Sequence, residues 1–538
     1  MQKKLMTVAV AGALGAIGSS AAWAQASSVQ IYGTISTSLE WAEATGGDRT
    51  PAGATPTVGG SSWRNAGNTV SGQQSAGVAN GVGAAYSATP INRDGRSRVA
   101  SSGSNFGIRG REDLGNGLYA GFQAEAAIQL GGNNAQNSGT GAINVTWRNT
   151  GLWIGSNRFG EIGWGNWDTP FNTNMGLSPA HAPYANASTT MVAGLLGTLS
   201  AGGAGGTISG YTVDAQCNPN FTTTTITATG VAATIANNNL TFGNAPYTCW
   251  NWATSFHRRQ SNSFWYQSPS WAGFRIRAHW GAENNQSSPS NNTGTGVGGE
   301  LNPWLFGASV SYTLGGLYAG VGYEYHNDYI ALAARTYGGL QMGGTGGVLA
   351  GSTSSNIPIG AAGVNDSGDY AVNVNLRYTF AFGLSIGGYY EWLRYNINYN
   401  AGAPLTALED VRRNAWRLDG AYQLGPHTFA IQYGQSGDQS CSTIGTSCSS
   451  SATKTNVWIL AYAYSLSKRT SLFGYGTFVD NDKNAASNGI VFHGIGPAAG
   501  ADPQYIGFGL RHLFLSRSRL FAETGALGRP FFLGLAIT

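Results

Sequence analysis

Asp369-Tyr370-Ala371-Val372-Asn373-Val374-Asn375-Leu376-Arg377-Tyr378-Thr379-Phe380 reads in steps of two. Val372, Val374, Leu376, Tyr378 and Phe380 fall on one side of an extended chain, and Asn373, Asn375, Arg377 and Thr379 on the other. A strand of a soluble sandwich shows such alternation over about five residues. Here it recurs in stretches of about eight to twelve, the length a tilted strand needs to cross a bilayer. About sixteen such stretches begin near Gln30, Val99, Leu118, Gly141, Gly160, Arg259, Gly273, Leu305, Leu317, Tyr370, Leu384, Asn414, His427, Val457, Thr470 and Gln504. An even number is what a closed bacterial barrel requires.

The connections alternate between two kinds. Short ones lie at 113–117, 156–160, 268–272, 313–316, 381–383, 423–426 and 465–469; long segments rich in Gly, Ser, Asn and Thr lie between them, notably 42–98, 168–258, 327–369 and 435–456. Short periplasmic turns and long outer loops give this asymmetry and put both ends of the barrel in the periplasm. The fold expected is therefore all-β: a 16-stranded antiparallel transmembrane β-barrel. Aromatic residues near strand ends, such as Tyr389, Tyr390 and Trp392 or Trp458, Tyr462 and Tyr464, are expected in girdles at the headgroup level.

Composition agrees. Of 538 residues 10% are charged and 81 are glycine, an unusual balance for soluble domains. Mean hydropathy is slightly polar at -0.14, and past the N-terminus no apolar run reaches the ~18 residues of a spanning helix. A barrel escapes that test because its two faces cancel in the average. Met1-Gln2-Lys3-Lys4, an apolar stretch to Ser19 and Ala22-Trp23-Ala24 form a basic region, a hydrophobic region and an A-x-A site, so 1–24 reads as a signal peptide cleaved before Gln25. The formal charge of +4 falls to zero once Lys3, Lys4 and the net excess of Arg517, Arg519 and Arg529 over Glu523 are set aside. Net charge therefore points to no nucleic-acid partner. Export implies an oxidising compartment, where Cys217 can pair with Cys249, and Cys441 with Cys448, by proximity. No companion His or second Cys pair stands at zinc spacing, and no nucleotide loop or cofactor fingerprint occurs, so neither metal nor cofactor is expected.

Alternation also assigns the lumen face. Arg109 and Arg111 are opposite in parity to Phe106 and Ile108, and Arg275 and Arg277 to Phe274 and Ile276; Arg377, Arg394 and Arg417 are further candidates, with Arg258 and Arg259 where the 168–258 loop rejoins the wall. Glu125, Glu161, Glu324, Glu391 and Asp419 fall on lumen parity, and Asp168 and Asp214 belong to that loop. Arginines facing fewer carboxylates create a transverse field that concentrates one ion sign, here a mild preference for anions.

The residues go further than a generic barrel. Ser104-Asn105-Phe106-Gly107-Ile108-Arg109-Gly110 with Glu112-Asp113-Leu114-Gly115-Asn116-Gly117-Leu118 resembles the Gram-negative general porins, particularly the β-proteobacterial type. So do Ser28-Val29-Gln30-Ile31-Tyr32-Gly33, Tyr266-Gln267-Ser268-Pro269, Leu466-Ser467-Lys468-Arg469-Thr470-Ser471-Leu472 and Gly509-Leu510-Arg511-His512 with Phe514, in family order along the chain. The resemblance implies an outer-membrane diffusion channel for small hydrophilic solutes, a homotrimer set in lipid and lipopolysaccharide, with the third long loop, here 168–258, folded into the lumen as a constriction. A Thr/Ala-rich part of that loop, 222–239, has room for an extra hairpin.

This chain departs from the family pattern at Ser36, where an acid is usual, and at Gly165-Asn166-Trp167, where Gly-Arg-Gln is usual. Selectivity is therefore not carried over from the family. Phe514 matches the closing aromatic, which leaves 25–514 as the barrel and 515–538 as an extension: a reading-frame or stop-codon product, or a periplasmic tail. Three other functions stay open. A substrate-specific channel would use Trp164, Trp167 and Phe171 as an aromatic track. A plugged barrel would serve as adhesin or anchor through its loops. A barrel enzyme would need a nucleophile, base and orienting group, and none of the seven histidines sits in such a motif.

Overall fold

The computed structural model describes residues 25–46, 93–101, 103–128, 145–178, 207–208, 211–213, 219–220, 225–228, 231–234, 256, 258–282, 303–328, 364–399, 408–443, 452–482, 485, 487 and 500–514. The leader, the 515–538 extension, Asp214, Cys217, Cys249 and Cys448 lie outside them.

Sixteen strands form one closed antiparallel barrel: β1 (Gln25–Thr45), β2 (Arg93–Ser101 and Asn105–Gly115), β3 (Leu118–Ile128), β4 (Val145–Trp147 and Thr150–Ser156), β5 (Gly160–Asp168), β6 (Arg259–Gln267), β7 (Phe274–Ala282) and β8 (Trp304–Leu314). The second half continues with β9 (Leu317–Asn327), β10 (Val364–Thr379), β11 (Leu384–Tyr399), β12 (Leu408–Leu424), β13 (His427–Ser436 and Ser440–Thr443), β14 (Thr455–Ser465), β15 (Thr470–Asn481) and β16 (Asp502–Phe514). Each strand pairs with its sequence neighbour, and β16 closes on β1 from Gly33↔Phe514 to Thr45↔Asp502. Closure leaves no open sheet edge among the described strands, so their backbone groups can pair within the wall as a bilayer requires.

The alternation in sequence becomes an outward and an inward face. In β16, Ile506 (52%), Phe508 (64%) and Leu510 (44%) are exposed on the outside, whereas Tyr505 (0%) and Arg511 (8%) are buried on the inside. Besides register shifts such as that between Gln260 and Ser263 in β6, period two fails at three places that interrupt a strand. Thr34 pairs with Asn105 but Thr37 with Ser101, so two residues of β1 oppose three of β2. The same surplus of one occurs in β4 between Trp147 and Thr150, and in β13 between Ser436 and Ser440. These β-bulges exchange the two faces: Phe106 and Ile108 point outward below the bulge in β2, and Val99 above it.

The short connections are tight hairpins. That between β2 and β3 puts Asn116 at φ 50° and Gly117 at φ 76°, the left-handed pair that a two-residue type I′ turn requires. On the inner face, aromatic rings lie across glycines of the adjacent strand: Tyr32 over Gly107, Tyr119 over Gly155, Trp153 over Gly121, Trp265 over Gly163 and Tyr475 over Gly507, where a Cβ would sit inside the ring. Inside the third loop, Thr225–Ala228 pairs with Val231–Thr234 as a hairpin within the Thr/Ala-rich part.

Two aromatic expectations are corrected. Tyr389 is not a girdle residue: it is buried inside, while Tyr390 faces outward. Trp164 cannot line an aromatic track, because its parity with Ile162 sends it outward, 52% exposed.

Candidate functional site: the lumen and its constriction

The third loop leaves β5 at Asp168 and turns at once into a short helix, α1 (Pro170–Met175), started by Thr169, whose hydroxyl accepts from Asn172 N at 3.3 Å, and by Pro170 in its first turn. All six helical residues are buried, because α1 lies inside the barrel against β8 to β10. The wall there is made of small residues: Gly307 abuts Pro170, Gly322 abuts Phe171 and Gly320 abuts Asn174.

Amides and one guanidinium hold the loop to the wall. Asn373 donates to Phe171 O at 3.0 Å and accepts from the Asn174 amide at 2.7 Å; Asn375 donates to the carbonyls of Asn174 and Leu177, both at 2.7 Å. Tyr318 donates to Asn174 Oδ1 at 2.9 Å, and Gln432 to Ser178 Oγ at 2.9 Å. Arg417, 1% exposed, uses all three nitrogens: Nη1 to Met175 O at 3.0 Å, Nη2 to Leu177 O at 2.9 Å and Nε to Asp419 at 2.8 Å. At its start the loop is tied by Arg259 to Asp168 at 3.1 Å and by Asn172 to Asp168 at 2.8 Å and Arg258 O at 3.1 Å. Phe256, at the loop's return, packs between Phe171 (5.6 Å), His326 (4.4 Å, stacked) and Tyr395 (5.7 Å).

The lumen charges separate along the channel axis rather than across it. Glu125, Glu324 and Glu391 stand seven residues above the strand starts Leu118, Leu317 and Leu384. Two have cationic partners, Arg148 for Glu125 and Arg413 at 3.1 Å for Glu391, while Glu324 shares a hydrogen bond of 2.8 Å with the His326 ring. Glu40 is paired with Arg98 at 2.5 Å, and on the outward face Asp410 meets Arg394 and Arg412 at 2.5 and 2.6 Å. Arg111, Arg275, Arg277, Arg377 and Arg511 instead lie within a few residues of the strand ends on the short-turn side. Among the described strand residues on that side, two inward carboxylates meet them: Glu161, which accepts from Tyr119 (3.0 Å) and Gln267 (3.3 Å), and Asp419, paired with Arg417 at 2.8 Å and level with Arg377 across Gly387; Glu112 and Asp113 belong to an exposed turn. Arg109 sits between the two levels, its guanidinium 4.8 Å from the centre of the Tyr32 ring, and Arg111 lies 3.7 Å from that of Tyr119.

Trp153, Trp167 and Trp265 form an inward cluster with ring centres 5.0 to 6.2 Å apart. Trp153, Trp265, Asn174, Arg413 and Gln432 do not stand out in the sequence, which sets Asn373 and Asn375 on the polar face without giving them a role. Two polar amides in succession on one face of a strand, Asn373 and Asn375, were the available signal, since Asn is depleted in strands.

A family model described as Gram-negative porin matches residues 7–484. Among solved structures, the chain is similar to the anion-selective porin from Comamonas acidovorans at 17% identity, over 91% of this chain and 100% of that one, with a TM-score of 0.51. It is also similar to OmpT of Vibrio cholerae in its trimer form (12%, 91% and 100%, 0.46) and to OmpF of Salmonella typhi in complex with daunomycin (10%, 90% and 97%, 0.43). No curated protein sequence matches. A sixteen-stranded closed barrel with a loop packed inside it, and a family match over nearly the whole chain, place the protein among the Gram-negative porins, as an outer-membrane channel for passive diffusion.

Proposed function

We propose that the channel passes small hydrophilic solutes with a mild preference for anions, and that it works as a homotrimer in lipid and lipopolysaccharide. The observation that carries the selectivity is the uneven pairing of lumen charge: Glu40, Glu125 and Glu391 in the outer part have arginine partners, while the arginines near the short turns outnumber the two acids on their level, Glu161 and Asp419. Fixed charge close to the solute path sets ion sign in a wide pore. Arg109, Arg111, Arg275, Arg277 and Arg377 supply the positive wall, and Glu125, Glu161 and Asp168 moderate it; Arg417, expected from the sequence among them, is instead buried against the loop carbonyls and Asp419. The expected result is a reversal potential of anion sign in a planar bilayer under a tenfold KCl gradient, shrinking at high salt as screening shortens. A cation sign overturns the preference.

The trimer rests on family membership. It is expected as a band that resists detergent at room temperature and dissociates on heating, with current steps in threes. Processing before Gln25 is part of the same proposal, and intact mass of the protein from purified outer membranes is expected to lack the first 24 residues.

A further inference from the structure

Two arginines on β11 and β12 face the lipid rather than the water column. Tyr389, Glu391, Leu393 and Tyr395 fill the inner face of β11, so Arg394 points outward, a correction to its expected place in the lumen. Arg412 is its register partner on β12, where Val411, Arg413, Ala415 and Arg417 take the inner face. Below the pair the outer wall is apolar, with Ile386, Tyr390 and Trp392 on β11 and Tyr422, Leu418 and Trp416 on β12. Arg394 stands ten residues beyond Leu384, roughly 25 Å up a strand tilted by about 40°. An outer-membrane barrel has an apolar band about 25 Å tall, so both guanidinium groups emerge at headgroup level on the long-loop side.

Asp410 lies between them. It accepts from Arg394 Nε at 2.5 Å, from Arg412 Nε at 2.6 Å and from Arg412 Nη2 at 3.4 Å, while the Tyr370 hydroxyl accepts from Arg394 Nη1 at 3.4 Å. Two cations against one carboxylate leave a net positive charge on side chains that are 30% and 48% exposed. Arg394 Nη2 and Arg412 Nη1 take no part in those bonds. On β15 and β16 the outward residues of similar height are acids instead, Asp480 and Asp502.

Guanidinium groups grip phosphate oxygens through charge-assisted hydrogen bonds, and indole rings settle at the boundary between headgroup and acyl chain. A lipid whose acyl chains lie along the apolar wall brings its phosphate to the height of the arginines; a free phosphate gains nothing from that wall. A phosphate monoester carries nearly two charges, more than the single charge of a phospholipid diester, and suits two arginines better. We propose that Arg394 and Arg412 form a seat for a phosphate of lipid A, the phosphorylated glucosamine anchor of lipopolysaccharide, with Trp392 and Trp416 beneath the sugar. The inference deepens the lipopolysaccharide part of the reading above and rests on it.

The test uses the full-length channel extracted from outer membranes in detergent. Native mass spectrometry counts the lipopolysaccharide it carries, and washed protein is then titrated with lipid A, phosphatase-treated lipid A, phosphatidylglycerol and inorganic phosphate. Lipid A is expected to bind about tenfold more tightly than its phosphatase-treated form, and the double variant Arg394→Gln/Arg412→Gln is expected to lose at least that factor. Asp410→Asn removes the competing charge and is expected to tighten binding several-fold, a gain that misfolding cannot imitate. Inorganic phosphate at equal concentration is expected to leave lipid A in place.

Equal binding of lipid A with and without its phosphates, or unaltered binding in the double variant, overturns the seat. Phosphatidylglycerol binding as tightly as lipid A, or displacement by inorganic phosphate, overturns lipid A as the occupant. The phosphatase comparison uses the unaltered channel and stands whether or not a variant folds. Lipopolysaccharide carried equally by the unaltered channel and the double variant removes this seat alone, whereas a channel extracted without any removes the lipopolysaccharide reading beneath it.

Discussion

Arg417→Ala is expected to release the start of the third loop from the wall and to produce larger, noisier single-channel steps. The side chain is fully buried and serves three acceptors at once: two loop carbonyls, Met175 O and Leu177 O, and the Asp419 carboxylate. Removing it leaves a buried charge on Asp419 and two carbonyls without that donor, a loss of ~3–5 kcal/mol. Much of that penalty is relieved if the loop lifts and admits water, so the change is expected to divide between stability and channel size. Conductance together with urea unfolding in lipid vesicles reads both. Arg417→Lys is expected to recover little, since one ammonium cannot span three acceptors arranged around a planar fork. Steps of unaltered size in Arg417→Ala would show that the amide contacts of Asn373 and Asn375 hold the loop alone.

The second large effect is expected at the seam where the barrel closes. Glu40 on β1 accepts from Arg98 Nε (2.7 Å) and Nη2 (2.5 Å) on β2 and from Tyr475 (2.5 Å) on β15, so one carboxylate joins both sides of the β1–β16 junction. Glu40→Ala leaves Arg98 and Tyr475 without that acceptor in a buried place, again ~3–5 kcal/mol. The expected readout is a lower temperature of conversion from the fast folded band to the slow unfolded band in detergent gels. Glu40→Gln, which keeps the shape and an acceptor oxygen, is expected to fall between. An unchanged conversion temperature would mean that the backbone ladder between β1 and β16 holds the seam unaided.

Much of the barrel was legible because strand, turn and membrane impose one grammar: period two, hairpins at one rim and long loops at the other. The sixteen strands follow from it, and so do the outward faces of Ile506, Phe508 and Val374. The outer halves of β2, β4 and β13 were harder to read for a definite reason. A bulge adds one residue and reverses parity, so an alternation traced through Phe106 and Ile108 fails to predict Val99. The axial separation of charge was hidden too, since Arg98 is 58 residues from Glu40, and Arg148 meets Glu125 across a bulge. Such pairs appear only once register is known. The loop anchors were missed because they act through uncharged amides on backbone carbonyls, which leave no charge pattern in the sequence.

The rings that lie across glycines on the inner wall have a consequence for the calibre of the conduit. A ring lying flat occupies little of the cross-section; a ring forced upright by a methyl group beneath it would stand into the water column. Gly107, Gly155, Gly121, Gly163 and Gly507 therefore act as recesses that keep Tyr32, Tyr119, Trp153, Trp265 and Tyr475 out of the stream. The glycine content of this chain thus serves hydraulics as well as turns. Its bore could be narrowed one methyl group at a time, with no change in charge.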